Sequence, residues 1–182
     1  DRAPKIIQDL IRRKARYYQD VIKKEIRIFP GVKAFVRSRQ GRLALAVVSG
    51  ALLREIRWIL KYAGIARAFP VVVSAENVKR GKPDPECYRK GLKFLNRLRR
   101  FRRNPLRAEE CAAIEDSVHG IQAAKKAGMK CVAVTNSYPK IKLREADWVV
   151  PSLTHLLRHP PAALALPESR ARAGHQSPRS GG

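Results

Sequence analysis

CAAIEDSVHGIQAAKKAG, residues 111–128, is the stretch on which the fold turns. It opens with a short apolar run, Cys111-Ala112-Ala113-Ile114, of a length suited to a buried strand. Two carboxylates follow, Glu115 and Asp116. Ser117 is placed to cap a helix by accepting a backbone N–H. That helix carries Ile121, Ala124 and Ala127 at helical spacing and stops at Gly128, the usual left-handed terminator. A strand that ends in acids and turns straight into a helix is typical of parallel α/β sheets, whose ligands bind outside the carboxyl ends of the strands. Two readings of the acids stand side by side. Either they hold a hard cation such as Mg²⁺ through oxygen ligands, or Asp116 and Ser117 only cap the helix and Glu115 is solvated.

Two further stretches bear on the choice. Leu43-Ala44-Leu45-Ala46-Val47-Val48 is a second apolar run, and it delivers Ser49-Gly50 to its end. Gly81-Lys82-Pro83-Asp84-Pro85-Glu86 sets a lysine directly before a proline, which disfavours helix for Lys82. Pro85 suits a first helical position behind Asp84 as cap. Lys82 is therefore expected on an extended segment at a helix entrance, within reach of an anion.

In this order the three stretches resemble the haloacid dehalogenase-like (HAD) hydrolase superfamily, most of all its β-phosphoglucomutase-like and phosphoglycolate phosphatase-like branch. The second family motif is an apolar strand ending in Ser or Thr, matched by Val47-Val48-Ser49-Gly50. The third is a lysine in a Lys-Pro-x-Pro setting, matched by Lys82-Pro83-Asp84-Pro85. The fourth is Glu-Asp-Ser-x-x-Gly with an alanine-rich helix, matched from Glu115 to Gly120 and by Ala127-Gly128-Met129. The similarity runs from about Pro30 to Leu157.

The resemblance implies a Rossmann-like three-layer α/β fold with a parallel sheet and a remnant of an α-helical cap. It implies Mg²⁺-dependent phosphoryl hydrolysis of a small phosphorylated metabolite through an aspartyl-phosphate, or phosphomutase chemistry of the same kind. Asp116 would bind Mg²⁺, with Glu115 supporting it. Lys82 would neutralise the phosphate and the nucleophile. Ser49 and the backbone N–H of Gly50 would hold phosphate oxygens. One motif is missing: the family's apolar strand ending Asp-x-Asp-Gly, which supplies the nucleophile, has no match. Asp1, Asp9 and Asp20 precede Ser49, but none follows an apolar strand. The chain as given is thus expected to be inactive, a piece beginning late in the cap insertion. Residues 1–28 read as the cap remnant, 29–158 as the core lacking the nucleophile strand, and 159–182 as a disordered basic tail.

Within those bounds, helix is expected from Pro4 to about Ile26, from Val32 to Arg39, from Leu52 to Tyr62 and from Pro85 to about Leu98. Strands are expected at Leu43–Val48, Val71–Val73, Cys111–Ile114, Cys131–Val134 and Asp147–Val150, with a last helical turn at Leu153–Leu157. The strands are apolar without alternation, as in a sheet covered on both faces. Tyr17 and Tyr18 are expected to pack, and His119 to face solvent. Asn77, Asn136 and Ser137 fall near strand ends without an assigned role.

Composition sets the outer limits. The chain has 182 residues, 45% of them apolar, enough for one α/β domain. No apolar run approaches the roughly 20 residues a membrane span needs, and the first residues carry no signal-like apolar region. A cytoplasmic protein is the expectation. Cys87, Cys111 and Cys131 are odd in number and fit neither a disulfide framework nor a zinc spacing. The formal net charge is +24. Such a balance suits a nucleic-acid partner in general, yet the cations are scattered and no recognised nucleic-acid module appears. The densest run, RLRRFRR at 97–103, reads as a solvated helix end and loop. A non-catalytic basic relative that binds ligands or nucleic acid is the alternative function, with a specific nucleic-acid target not expected.

Overall fold

The computed structural model describes residues 26–161 and 164. The helix expected from Pro4, Tyr17 and Tyr18, and nearly all of the tail lie outside these residues.

Along the chain the elements are α1 (Val32–Arg39), β1 (Ala46–Val48), α2 (Leu53–Tyr62), β2 (Val71–Val73), α3 (Glu86–Asn96), β3 (Ala112–Glu115), α4 (Val118–Lys126), β4 (Lys130–Val134), β5 (Trp148–Val150) and α5 (Leu153–Arg158). Every strand pair is parallel: β1 with β2, β3 with β4, and β4 with β5. Parallel strands need crossover connections, and the intervening helices supply them.

Strand parity sorts the side chains into three layers. Val71, Val73, Cys131 and Ala133 point to one face, where they pack with Tyr88 and Leu95 of α3 and with Ile121 and Ala124 of α4. The intervening Val72 joins Val36 of α1 and Ile56 and Leu60 of α2 on the other face. Farther along that face, Val132, Val134 and Val150 pack with Phe35 of α1 and Leu156 of α5. The expected covering of both faces is therefore present, and the fold is mixed α/β with parallel sheets.

The sheet is split. β1 and β2 form one ladder, β3 to β5 another, and β1 does not pair with β3. The first core cluster runs beneath both ladders, whereas the opposite face carries two separate clusters. Between them Ile114 is 36% exposed, a large apolar side chain on β3, the edge strand of its ladder. Residues of β1 are only half-buried, while four of the five in β4 are buried. Among the described residues, the edges of β1 and β3 that face each other have no strand partner.

Several boundaries differ from the sequence reading. Leu43 to Leu45 stay outside β1, because the Leu43 amide donates to the Arg39 carbonyl and closes the turn after α1. Cys111 stays outside β3, its amide donating to Ala108 in a 3-10 turn, and Glu115 joins the strand instead. Pro85 precedes α3 rather than opening it, and the Asp84 carboxylate accepts from the Glu86 amide at 2.9 Å. Ser117 caps α4 as expected, accepting from the Gly120 amide at 3.0 Å. Gly128 ends that helix at φ 81°, a conformation that costs glycine least.

Two unpaired inner edges offer free backbone donors and acceptors, a template for pairing between chains. Light scattering on a concentration series is expected to show an apparent mass that rises with concentration. A monomer with a sharp, reversible melt across that series would contradict this.

Candidate active site

The carboxyl ends of β1 and β3 meet at one ammonium group. Lys82 lies on the loop between β2 and α3, after which the peptide to Pro83 is cis. Its Nζ donates to the Val48 carbonyl at the end of β1, 3.4 Å away, and forms an ion pair with Glu115 Oε1 at the end of β3. Lys82 sits not on an extended segment but in a turn closed by the Asp84 amide donating to the Gly81 carbonyl at 3.0 Å, because the cis bond to Pro83 folds the chain back there. The anion it reaches here is Glu115.

Parity places the two adjacent acids in different surroundings. Glu115 shares its strand face with Ala113 and points into the α3–α4 layer, where it is 7% exposed. Oε1 takes the Lys82 ammonium and the Tyr88 hydroxyl, the latter at 2.5 Å. Oε2 takes the Asp116 amide at 3.3 Å and the Ser117 hydroxyl at 3.2 Å. A buried carboxylate satisfied on both oxygens is a stable counter-ion. In this arrangement its Oε1 faces Lys82. Asp116 points away, is half-exposed, and accepts from Ser137 Oγ at 2.5 Å through Oδ2.

Ser49 and Gly50 sit at the end of β1. The Ser49 hydroxyl oxygen accepts from the Ala51 amide at 3.1 Å, which fixes the turn. Gly50 is exposed, and a methyl group added there would meet nothing within 4 Å. Packing therefore does not demand this glycine. His119 is exposed on the first turn of α4, as expected.

Three residues complete the site that the sequence reading did not place there. Tyr88 lies on the buried face of α3, yet its hydroxyl is bonded to Glu115 and its ring lies 5.2 Å from the Lys82 ammonium. Burial, then the charge of Glu115 and its hydrogen bond, push the phenol far above its ordinary pKa. It remains a donor at any working pH. Ser137 holds Asp116, and no local pattern announces it. Gly120 is required because a β-carbon there would fall on the Glu115 carboxylate.

Around this centre the loops are laced together. Glu76 Oε2 accepts from the Leu53 amide at 3.0 Å, joining the turns after β2 and β1. Glu86 Oε2 accepts from the amides of Lys79 and Arg80, each at 3.0 Å, and Oε1 pairs with Lys90. Lys90, with those two amides, holds the Glu86 carboxyl down to about 2. This brace of the Lys82 loop is therefore complete above the ordinary carboxylate range and is lost as pH falls through about 2.

The residues present can be tested against a cation. Among the described residues no cluster of three or more His, Cys, Asp or Glu forms. Asp116, directly after β3, is half-exposed. Mg²⁺ commonly takes one or two protein carboxylates and completes its shell with water and substrate phosphate, so the donor set fits. The thiols supply no nucleophile: burial raises Cys87, pushes Cys111 up to about 11 and Cys131 up to about 12.

Comparison with known proteins follows the same residues. Residues 3–134 match the family of haloacid dehalogenase-like hydrolases. YhcW of Bacillus subtilis (strain 168) is 36% identical over 108 residues, 59% of this chain and 45% of that protein. The phosphorylated carbohydrates phosphatase of Thermotoga maritima is 34% identical over 120 residues, covering 64% of this chain and 49% of the enzyme. Among solved structures, β-phosphoglucomutase of Clostridium difficile superposes with a TM-score of 0.67 at 26% identity, over 79% of this chain and 59% of that one. The chain spans about half the length of the curated relatives it matches.

Removing the Tyr88 hydroxyl in Tyr88→Phe is expected to cost about 2 kcal/mol, as for a buried hydrogen bond to a charged group. Gly120→Ala is expected to cost about 3 kcal/mol by overpacking against Glu115. Urea unfolding of both variants measures the two losses.

Proposed function

Since this chain belongs to the haloacid dehalogenase-like hydrolases and resembles their β-phosphoglucomutase-like branch, we propose that its strand ends form the phosphate and Mg²⁺ site of a phosphatase acting on a small phosphorylated metabolite. One observation carries the reading: the Lys82 ammonium joins the carboxyl ends of β1 and β3, with Ser49 and Gly50 on one side and Asp116 on the other. Phosphoryl transfer needs positioned donors and cations around a highly charged group.

Each residue has a part in that chemistry. Lys82 takes the negative charge that accumulates between phosphate and nucleophile. The Ser49 hydroxyl already accepts from the Ala51 amide, which leaves its proton to donate to a phosphate oxygen beside the Gly50 amide. Asp116, oriented by Ser137, would hold Mg²⁺, which neutralises phosphate oxygens when bound. Local charge supports this assignment. Lys82 and Glu115 cancel, so Asp116 leaves the site one unit negative, and a dication reverses the sign toward an incoming phosphate. Glu115 supports the metal only indirectly, by fixing Lys82 and the peptide of Asp116. The phosphorylated carbohydrates phosphatase among its relatives favours phosphorylated carbohydrates as the substrate class, with mutase chemistry as the second reading. A cytoplasmic setting accords with the free cysteines. Among the described residues no helix is long and apolar enough to cross a membrane.

The aspartate that attacks phosphorus in such reactions has no counterpart in the 182 residues given. Loss of one member of a catalytic unit removes nearly all of the covalent pathway. The chain alone is therefore expected to show no Mg²⁺-dependent hydrolysis of p-nitrophenyl phosphate or sugar phosphates. Adding an N-terminal strand that ends Asp-x-Asp-Gly is expected to restore turnover, and Asp116→Ala or Lys82→Ala to abolish it again. Turnover by the unextended chain that disappears in Asp116→Ala would overturn this expectation. Restored turnover that survives Lys82→Ala would overturn the site.

A further inference from the structure

The excursion between α3 and β3 gathers six arginines in residues 97–107, with no acid among them. All six are exposed. Among the described residues only Arg107 is ion-paired, with Glu109 and Glu110. A merely solvated loop would leave these cations loosely held, but this one is anchored at both ends. The Asn96 side chain donates to the Leu106 carbonyl at 2.9 Å and accepts from its amide at 2.8 Å, closing the base. Leu98 and Leu106 pack against the main core cluster. Between them Arg99–Phe101 forms a 3-10 turn. The guanidinium of Arg100 lies 4.7 Å from the Phe101 ring centre, and that of Arg97 lies 5.3 Å from Phe94. Both rings are only half-buried.

The location separates this surface from the candidate active site. α3 starts beside Lys82 at the carboxyl ends of the strands and runs back over the sheet to Asn96. Its 11 residues set the excursion about 16 Å from the site at the helical rise per residue. Lys126 and Lys130, both exposed, extend the basic surface along the same edge, where Ala108 touches the turn at Gly128.

We infer that this edge is a binding surface for single-stranded nucleic acid, recognised through its phosphates and bases without regard to sequence. Arginine forks match phosphate oxygens in pairs, better than point-like ammonium groups do. Phe94 packs against the core, whereas the half-buried Phe101 ring supplies a stacking face that an unpaired base can use. An acidic protein or a lipid surface would use the charge but leave that ring without a role. Among the described residues, no helix of the excursion is long enough to lie in a duplex groove.

The test measures anisotropy of a labelled oligouridylate with the 182-residue protein across a salt series. One variant changes Arg97, Arg99, Arg100, Arg102 and Arg103 to Gln. A control variant changes five exposed cations elsewhere, Lys33, Arg37, Arg57, Lys61 and Arg67, to Gln. The first is expected to flatten the slope of log affinity against log salt by about 3, from the single-strand counterion relation. The control is expected to change it by less than about 1. Phe101→Ala is expected to weaken binding roughly tenfold, the scale of one lost stacking contact. Equal losses in both charge variants would show general charge attraction and overturn the inference. So would binding insensitive to Phe101→Ala, absence of oligouridylate binding, or tighter binding to phosphatidylserine vesicles than to the oligonucleotide. Matched thermal melts of the two charge variants keep unfolding from imitating either result.

Discussion

The Lys82–Glu115 pair is the contact on which the described domain depends. It ties two ladders that share no backbone pairing, from the last carbonyl of β1 to the last residue of β3. A buried charge pair gains little if its remaining lone pairs stay empty, because desolvation costs as much as attraction returns. Here those sites are filled: Tyr88, Ser117 and the Asp116 amide complete the carboxylate, and the Tyr88 ring lies beside the ammonium. Removing either charge would leave the other buried and unpaired, which is far more damaging than replacing both.

From that pair the local architecture follows. Glu115 must face the α3–α4 layer to meet Lys82, so Asp116, one residue on, must face the other way. The carboxylate fills the space over the first turn of α4, and only glycine leaves that space at position 120. Ser117 then serves two partners at once, accepting from the Gly120 amide and donating to Glu115. A helix cap and a site brace are the same hydroxyl. The two readings of the acidic stretch drawn from sequence are therefore not exclusive, since capping by Ser117 fixes the peptide from which Asp116 projects.

The order of strands and helices was legible because each strand is a short apolar run and each crossover carries helical spacing. Val71–Val73 and Val32–Arg39 fall where the pattern placed them. The ends were less legible, as hydrophobicity does not register where a ladder partner stops. Leu43, Leu45 and Cys111 are apolar enough for strand, yet turn hydrogen bonds claim their amides or their neighbours. Residue types and order pointed to Ser49, Lys82 and the acid pair, which the fold brings to the carboxyl ends of β1 and β3. Sequence could not say which acid turns inward, since that depends on the strand's exact last residue. Nor could it find Ser137, whose partner lies 21 positions away, or distinguish the Tyr88 hydroxyl from an ordinary core ring.

Charge placement along α3 gives the two ends of the domain different characters. The helix begins with Glu86, which braces the Lys82 loop, and carries Lys93 in its last turn. Both follow the macrodipole, which favours anions at the start and cations at the end by about 0.3 to 1 kcal/mol each. Arg97 and Arg99 extend that favourable order just past the helix, so part of their mutual repulsion is offset by the carbonyls they follow. The same run at the start of α3 would oppose the dipole and crowd Lys82, whose partner Glu115 is already committed. A chain of +24 can thus gather six arginines at the amino edge of the sheet without disturbing the ammonium that joins the strands at the carboxyl edge.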